Sequence, residues 1–158
     1  MENVYIIEGK NIYDLHSCFK EFAKAVNAPN GYFGSGMNQF DDCLFGGFGL
    51  EAPCKIIWKN SSLSKQRLNC KMLRNYYKRE KYLYEKELII EMKELLEHGR
   101  KDASVEDCFS YTAIQYSKHM IERAEIGELD LFDEIVNTIR SVSERSYNKN
   151  WKIELILE

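Results

Sequence analysis

Residues 27–53 read NAPNGYFGSGMNQFDDCLFGGFGLEAP, and they contain six of the nine glycines and both prolines of the chain. This stretch has no lysine or arginine, and its three charges are the acids Asp41, Asp42 and Glu51. Five aromatic residues are interleaved with them: Tyr32, Phe33, Phe40, Phe45 and Phe48. Acids and aromatics without cations suit a basic protein partner, because complementary charge raises encounter rate and specificity. The alternative, which composition alone favours, is a glycine-rich connection that buries its aromatics over a core.

The composition restricts the class of protein. A chain of 158 residues fits one domain, or one domain with an insertion, and 44% hydrophobic with 30% charged residues is ordinary for a soluble globule. The net charge of −3 favours neither nucleic acid nor an anionic membrane as partner. No apolar run approaches the ~20 residues of a membrane span, and the N-terminus lacks a signal-peptide pattern. We therefore expect a cytoplasmic protein that does not bind membranes.

The cysteines and the adjacent acids give no support to a metal site or a catalytic centre. The five cysteines are scattered without CxxC spacing, so we expect free thiols and no metal or other cofactor. Asp41 and Asp42 are adjacent, which places them about 100° apart on a helix, so they cannot share a proton as a catalytic dyad. Cys43 follows an acid, a setting that raises a thiol pKa, and we expect it to be a packing residue. The sequence therefore predicts no catalytic residues and no enzyme.

Strand and helix patterns alternate on both sides of the glycine-rich stretch. Residues 4–7, 54–58 and 151–157 have strand patterns. Helical periodicity appears from Ile12 to Val26 with Asn11 as N-cap, in a short segment from Met37, and from Leu131 to Val142. Strands separated by helices imply parallel pairing through right-handed crossovers, so the pattern predicts an α/β fold.

The middle of the chain has a different pattern. Residues 66–98 lack glycine and proline and carry apolar residues throughout, which predicts one helix on the order of 50 Å long. Gly99 fits its C-cap, and Ser104 with Asp107 resembles a capping arrangement at the start of another helix. We therefore expect an inserted α-helical hairpin at residues 67–127, with residues 1–66 and 128–158 forming the α/β domain.

Residues 65–81 carry seven cations against one acid, Glu80. Five of the cations have helical spacing and would form a stripe along one face: Arg67, Lys71, Arg74, Lys78 and Lys81. Such a stripe could bind nucleic-acid phosphates. It could also be a solvated face, or pair in an antiparallel homodimer with the acids of residues 85–97. We rank solvation or self-association first and nucleic-acid binding second.

Several short motifs follow one another in an order that matches a known family. They are IIEGKNIYDLH at residues 6–16, YFG at 32–34, DCL at 42–44, Trp58 after Pro53, SKQ at 64–66 and KIELILE at 152–158. In this order, residues 3–66 and 131–158 resemble the barstar family of inhibitors of the bacterial ribonuclease barnase. The resemblance implies a barstar-like three-stranded parallel sheet flanked by helices. It also implies an inhibitor that fills a nuclease active site, so the expected partner is a basic bacterial ribonuclease or a nuclease toxin with this chain as its immunity protein.

The resemblance also implies which residues bind the partner. Asp42 matches the central acid of the family, Tyr32 matches an aromatic that stacks on the partner, and Glu144 matches a later acid across a gap. Asn38 stands where the family commonly has a second acid, and Asp41 stands where it has a partner-facing tryptophan. Either Gly47 or Phe48 stands where the family has another contacting tryptophan. The implied binding set is Tyr32, Asn38, Asp41, Asp42, Phe48 and Glu144. Because the stretch has no cation, we expect neither Asp41 nor Asp42 to be neutralised, and the departures allow a target other than barnase.

Overall fold

The computed structural model describes residues 2–158, which contain three β-strands and six α-helices. The elements are β1 Asn3–Glu8, α1 Leu15–Ala25, α2 Met37–Cys43, β2 Cys54–Lys59, α3 Ser61–Arg67, α4 Cys70–Glu97, α5 Phe109–Glu125, α6 Leu131–Arg145 and β3 Ile153–Leu157. Short 3-10 turns lie at Gly9–Asn11, Pro29–Gly31 and Val105–Asp107. None of the helices within residues 2–158 combines enough length with enough apolar character to cross a lipid bilayer.

The sheet has the strand order β1-β2-β3, and both strand pairs are parallel. In register, Ile7 lies opposite Trp58, and Trp58 lies opposite Leu157. Parallel strands require long crossovers, which the helical segments between them supply. The three-stranded parallel sheet and the α/β fold class are therefore confirmed. The last strand begins at Ile153, two residues later than its alternating pattern indicated.

The glycine-rich stretch contributes part of the hydrophobic core. Phe33 and Phe40 are buried against Phe22, which also packs on Trp58, with ring centroids 5.1 to 5.9 Å apart. Burying each such ring stabilises the fold by roughly 1.5–3 kcal/mol. The Trp58 Nε1 donates to Ser64 Oγ at 3.0 Å, so its polar atom is satisfied. The alternative that the stretch buries its aromatics over a core is thus correct for Phe33 and Phe40.

Helix α1 begins later than its periodicity indicated, and Asn11 is not its N-cap. The cap is Asp14, whose Oδ1 accepts from the Ser17 backbone N–H at 2.8 Å, while the Ser17 Oγ accepts from the Asp14 N–H at 3.0 Å. This reciprocal capping box satisfies two amides that the first turn leaves without helical partners. Asn11 instead ends a 3-10 turn, and the buried Ile12 follows it in extended conformation.

The long helix predicted for residues 66–98 is two helices in the structure. Helix α3 ends at Arg67, and Leu68 has φ −87° and ψ 66°, which is outside the helical region. The carbonyl oxygens of Leu68 and Asn69 accept the amides of Phe132 and Leu131, at 3.0 and 3.4 Å. Because the start of α6 occupies these carbonyls, the chain leaves the helical path here, and α4 begins at Cys70.

The chain divides into two compact units. One contains the sheet with α1–α3 and α6, and comprises the residues up to Asn69 together with Leu131–Glu158; the other is Cys70–Asp130. In the second unit α4 and α5 pack antiparallel, with Tyr77 against Tyr116 and Tyr84 against Phe109. The capping box between Ser104 and Asp107 is present, although it caps the 3-10 turn before α5.

Candidate functional site

Helix α2 separates a buried side from an exposed one. Met37, Phe40 and Cys43 are buried at three-residue spacing, whereas Asn38 and Asp42 are exposed. Residues four apart lie on the same face of a helix, so the Asn38 amide and the Asp42 carboxylate share one exposed face. The sequence of α2 therefore forces these two polar groups outward once its apolar side packs on the core.

The loop before α2 can approach the helix closely because Gly34 has no side chain. A Cβ at Gly34 would lie 2.8 Å from the backbone nitrogen of Phe40, and its φ of +108° is in the region that favours glycine. This contact fixes the path from Tyr32 into α2. A substitution at Gly34 would displace that loop.

Asp42 is an acid without a compensating charge inside the protein. It is exposed, and no ion pair joins it to a cation within residues 2–158. It also lies near the C-terminal end of α2, where the helix dipole disfavours a negative charge. Burial, and secondarily the charge of Asp42, raises the pKa of the neighbouring Cys43 thiol. Cys43 is thus the inert packing residue that its sequence context indicated, and Asp42 is the group left for an external cation.

Asp41, by contrast, is neutralised by a residue from the far end of the domain. The Arg145 Nη2 donates to Asp41 Oδ1 at 2.6 Å and the Nη1 donates to Oδ2 at 2.9 Å, although the residues are 104 positions apart. This hydrogen bonding to Asp41 raises the pKa of Arg145. The expectation that no cation neutralises Asp41 is therefore wrong, because the cation-free stretch is local in sequence and α6 supplies the charge.

Aromatic side chains from the loops on either side of α2 contact each other. The rings of Tyr32 and Phe48 are 5.8 Å apart and tilted by 56°. Tyr32 retains 38% of its exposure and Phe48 is half-buried, so part of this pair faces solvent. The structure brings two residues of the implied binding set together at this point, one before α2 and one after it.

Glu144 is exposed on the last turn of α6 and directly precedes Arg145. The pair between Arg145 and Asp41 brings this end of α6 to α2. Asn38 and Glu144 are thus both exposed on elements that the Asp41 pair connects. The positions of Asn38 and Glu144 are compatible with the implied set, whose role in binding stays a prediction.

Two residues that support α2 were not part of the sequence-based set. One is Arg145, and the other is Trp151, whose ring would lie 2.9 Å from a Cβ at Gly46. The alternation around Trp151 indicated a strand position, but the residue lies before β3 and is half-buried against the loop after α2. No local pattern could have revealed either contact, because each joins segments more than 100 residues apart.

The basic stripe predicted along one helix is not continuous. Lys65 and Arg67 belong to α3, whereas the later cations belong to α4. Arg67 Nη1 donates to the carbonyl oxygens of Lys10 and Ile12 at 2.8 and 3.1 Å. Lys65 Nζ donates to Asp133 Oδ1 at 2.9 Å. These two cations serve contacts within the first unit, and the prediction of one stripe is wrong.

On α4, two of the remaining cations lie beside acids of the second unit. Lys78 lies 3.9 Å from Glu125 and Lys81 lies 3.4 Å from Glu85. Such exposed pairs contribute little stability, but they reduce the positive potential of the helix. Within residues 2–158, no cluster of three His, Cys, Asp or Glu side chains is arranged to hold a metal ion.

Comparison with known proteins agrees with the fold and with the motifs around α2. Residues 2–76 match the sequence model of the Barstar family, described as barstar (barnase inhibitor). No curated protein and no solved structure matches the chain. The matched segment contains the first two strands, α1, α2 and α3, and β3, which lies outside it, completes the same parallel sheet. The Barstar family consists of inhibitors rather than of enzymes, and residues 2–76 of this chain are similar to it.

Proposed function

We propose that the chain inhibits a basic bacterial ribonuclease or nuclease toxin by placing acidic helix α2 in the phosphate-binding part of its active site. One observation carries this proposal: Asp42, in the family-matched segment, is exposed and lacks an internal cation. In this mechanism the Asp42 carboxylate stands where a phosphate of RNA would bind. Blocking then requires no catalysis by the chain.

The chemistry of such a site favours a carboxylate. Active sites that bind phosphates present Arg, Lys or His side chains, and these donate charge-assisted hydrogen bonds that are about twice as strong as neutral ones. Once the interface excludes water, the attraction is screened less by solvent and salt. Asp42 would supply the acceptor. Asn38, one turn earlier on the same face, adds a neutral amide that can both donate and accept.

The aromatic pair and the peripheral acid would complete the interface. Tyr32 and Phe48 offer rigid apolar area next to α2, and tyrosine is enriched among the residues that dominate binding energy. Glu144 lies at the end of α6, where its charge would act mainly on the association rate through long-range attraction. We assign Tyr32, Asn38, Asp42, Phe48 and Glu144 to contact with the partner, and Asp41 to their support.

The target need not be barnase. Asn38 and Asp41 replace residue types that the resemblance leads one to expect, so the partner surface should differ around the same central acid. A related secreted nuclease or a toxin domain fits the proposal equally well. In either case we place the chain in the bacterial cytoplasm, as an immunity protein that protects the cell that produces the nuclease.

Inhibition of purified nuclease tests the proposal. RNA hydrolysis by barnase, and by any nuclease encoded beside this gene, would be measured with increasing amounts of the full chain. We expect stoichiometric inhibition of at least one of them, and loss of inhibition for Asp42→Ala. Glu87→Ala on α4, which also removes one exposed acid, is the matched control and should inhibit normally. Equal inhibition by Asp42→Ala and the parent would refute the role of α2.

A second candidate function is self-association of the hairpin. Helix α4 exposes several aliphatic side chains, among them Ile89 at 71%. Exposed aliphatics fit a protein surface better than nucleic acid, which is bound mainly through cations. Sedimentation velocity of the full chain at several concentrations would test this, and a concentration-independent monomer would exclude it.

Nucleic-acid binding through α4 ranks below both. We expect weak RNA binding that disappears near physiological salt, because phosphate contacts release counterions. Tight binding at that salt concentration, abolished by Lys71→Glu, Arg74→Glu and Lys78→Glu together, would reverse this ranking.

A further inference from the structure

We infer that Arg145 is a positioning residue of the proposed binding site: it holds Asp41 inside the protein, so that α2 presents Asp42 as its single free carboxylate. The inference deepens the proposed function and rests on it for the partner. The contacts between Arg145 and Asp41 belong to the free protein and can be tested without a partner.

The guanidinium of Arg145 has little hydrogen-bonding capacity left for a partner. Both terminal nitrogens donate to the two carboxylate oxygens of Asp41. The Nε donates to Ser141 Oγ at 2.9 Å, and Nη2 also approaches the carbonyl oxygen of Thr138 at 3.4 Å. The group lies 5.2 Å from the ring centroid of Phe45. All three nitrogens are therefore engaged inside the domain.

The pair between Arg145 and Asp41 has the features of surface ion pairs that contribute to stability. The Asp41 side chain retains only 30% of its exposure, and the fork of the guanidinium binds the carboxylate at two points. Bidentate geometry within a supporting network is the case in which partly exposed pairs contribute measurably. Ser141 Oγ donates in turn to Thr138 O at 2.9 Å, so the acceptor of the Nε bond is itself held.

We call the pairing of Arg145 with Asp41 the clamp. It matters because α2 is short. A helix of seven residues is unstable in isolation, and no side chain caps its N-terminus at Gly36. Packing of its apolar side fixes its distance from the core, while the bond from Arg145 to Asp41 resists rotation about its axis. Since Asp42 follows Asp41 by about 100° around that axis, fixing Asp41 also fixes the direction of Asp42.

The partner chemistry follows from this geometry. A partner should offer one cationic pocket opposite Asp42 and a nearly neutral surface opposite the paired Asp41 and Arg145. A nuclease with a second buried cation facing Asp41 would leave that cation unpaired, which is costly. By neutralising one of the two adjacent acids, Arg145 thus influences which basic nucleases the chain can bind.

A double-substitution experiment on the full chain tests the clamp without a partner. Amide hydrogen exchange of residues 42–45 would be compared for the parent, Asp41→Asn, Arg145→Gln and the double variant. We expect each single substitution to accelerate exchange roughly three- to tenfold, and the double to add nothing further. Arg145→Lys should be intermediate, because one ammonium cannot reproduce the fork. Asp42→Asn with Arg145→Gln is the matched control and should be additive. Additive effects of Asp41→Asn and Arg145→Gln would overturn the clamp.

Nuclease inhibition provides the functional readout, with barnase as the first probe. We expect Arg145→Gln to weaken inhibition about tenfold and to reduce the loss caused by Asp42→Ala. Lys65→Gln breaks another ion pair of the same unit and should alter neither quantity. If the parent fails to inhibit barnase, that target is wrong, while the exchange data still decide the clamp. If the parent inhibits and Arg145→Gln inhibits equally well, the positioning role is refuted.

Discussion

The indole Nε1 of Trp151 donates a hydrogen bond of 2.9 Å to the carbonyl oxygen of Leu44, 107 residues earlier in the chain. Leu44 is the C-cap of α2, where helical carbonyls lack intrahelical donors. The indole therefore satisfies the end of the helix that carries Asp42. With Arg145 acting on the same helix, two late residues of the chain hold an early element in place.

Replacing Trp151 by phenylalanine should remove this hydrogen bond while keeping most of the packing against Gly46. We expect the free energy of unfolding to fall by about 1–3 kcal/mol, because the partly buried Leu44 carbonyl loses its donor. Urea denaturation measures this. Tyr147→Phe changes a fully exposed aromatic and should leave stability unchanged; a Trp151→Phe variant equally stable would show that water replaces the indole.

Asp42→Ala and Asp41→Ala should have different effects. Removing Asp42 should weaken nuclease binding by about 2–5 kcal/mol, because it leaves partner cations unpaired; the barnase–barstar pair is among the complexes from which this range is known. The melting temperature should change little. Removing Asp41 should lower the melting temperature, since it breaks the pair with Arg145. Calorimetric titration and thermal melts of both variants separate the two. Similar binding losses for both, without any loss of stability, would mean that Asp41 contacts the partner directly.

The N-cap of α1 should make stability depend on pH. The hydrogen bond from the Ser17 backbone amide lowers the pKa of Asp14 below its usual 3.8. A carboxyl with a lowered folded-state pKa stabilises the protein fully above its unfolded pKa and loses that contribution as pH falls through the folded value. We therefore expect the difference in stability between the parent and Asp14→Ala to be about 1 kcal/mol at neutral pH and to shrink below pH ~4. Chemical denaturation between pH 7 and pH 3 measures it.

Asp14→Asn is the control for that effect. Asparagine caps about as well as aspartate but does not titrate, so this variant should keep most of the stability and lose the pH dependence. A parent and an Asp14→Asn variant with the same pH profile would assign the acid sensitivity to other carboxylates.

The helical hairpin should be dispensable for folding of the α/β domain. The Leu131 amide donates to the Asn69 carbonyl oxygen at 3.4 Å, so the two ends of the hairpin are adjacent in space. A linker of about four Gly and Ser residues in place of Cys70–Asp130 would bridge this gap, since each residue spans up to about 3.5 Å. We expect a cooperative melt and retained nuclease inhibition. A non-cooperative melt would show that the hairpin contributes to the core.

Local patterns in the sequence account for the sheet and for the direction of Asp42. Short apolar runs around Ile7 and Ile56 mark two strands, and helices between the strands require parallel pairing. The three-residue spacing of Met37, Phe40 and Cys43 assigns the buried side of α2, which leaves Asp42 outside. These inferences succeed because strand alternation and helical periodicity involve neighbours within a few residues of each other.

Other features depend on where distant segments meet. Asp41 looked like a free acid because no cation is near it in sequence, yet α6 delivers Arg145 to it across 104 residues. The helix break at Leu68 likewise has no glycine or proline nearby that would predict it. It arises because the Leu68 carbonyl oxygen accepts a hydrogen bond from the start of α6. Hydrogen bonds and ion pairs form between groups that folding brings within about 3 Å, whatever their separation along the chain. The sequence therefore determined which residues of α2 face outward, and the tertiary structure decided that only one of its two acids is left unpaired.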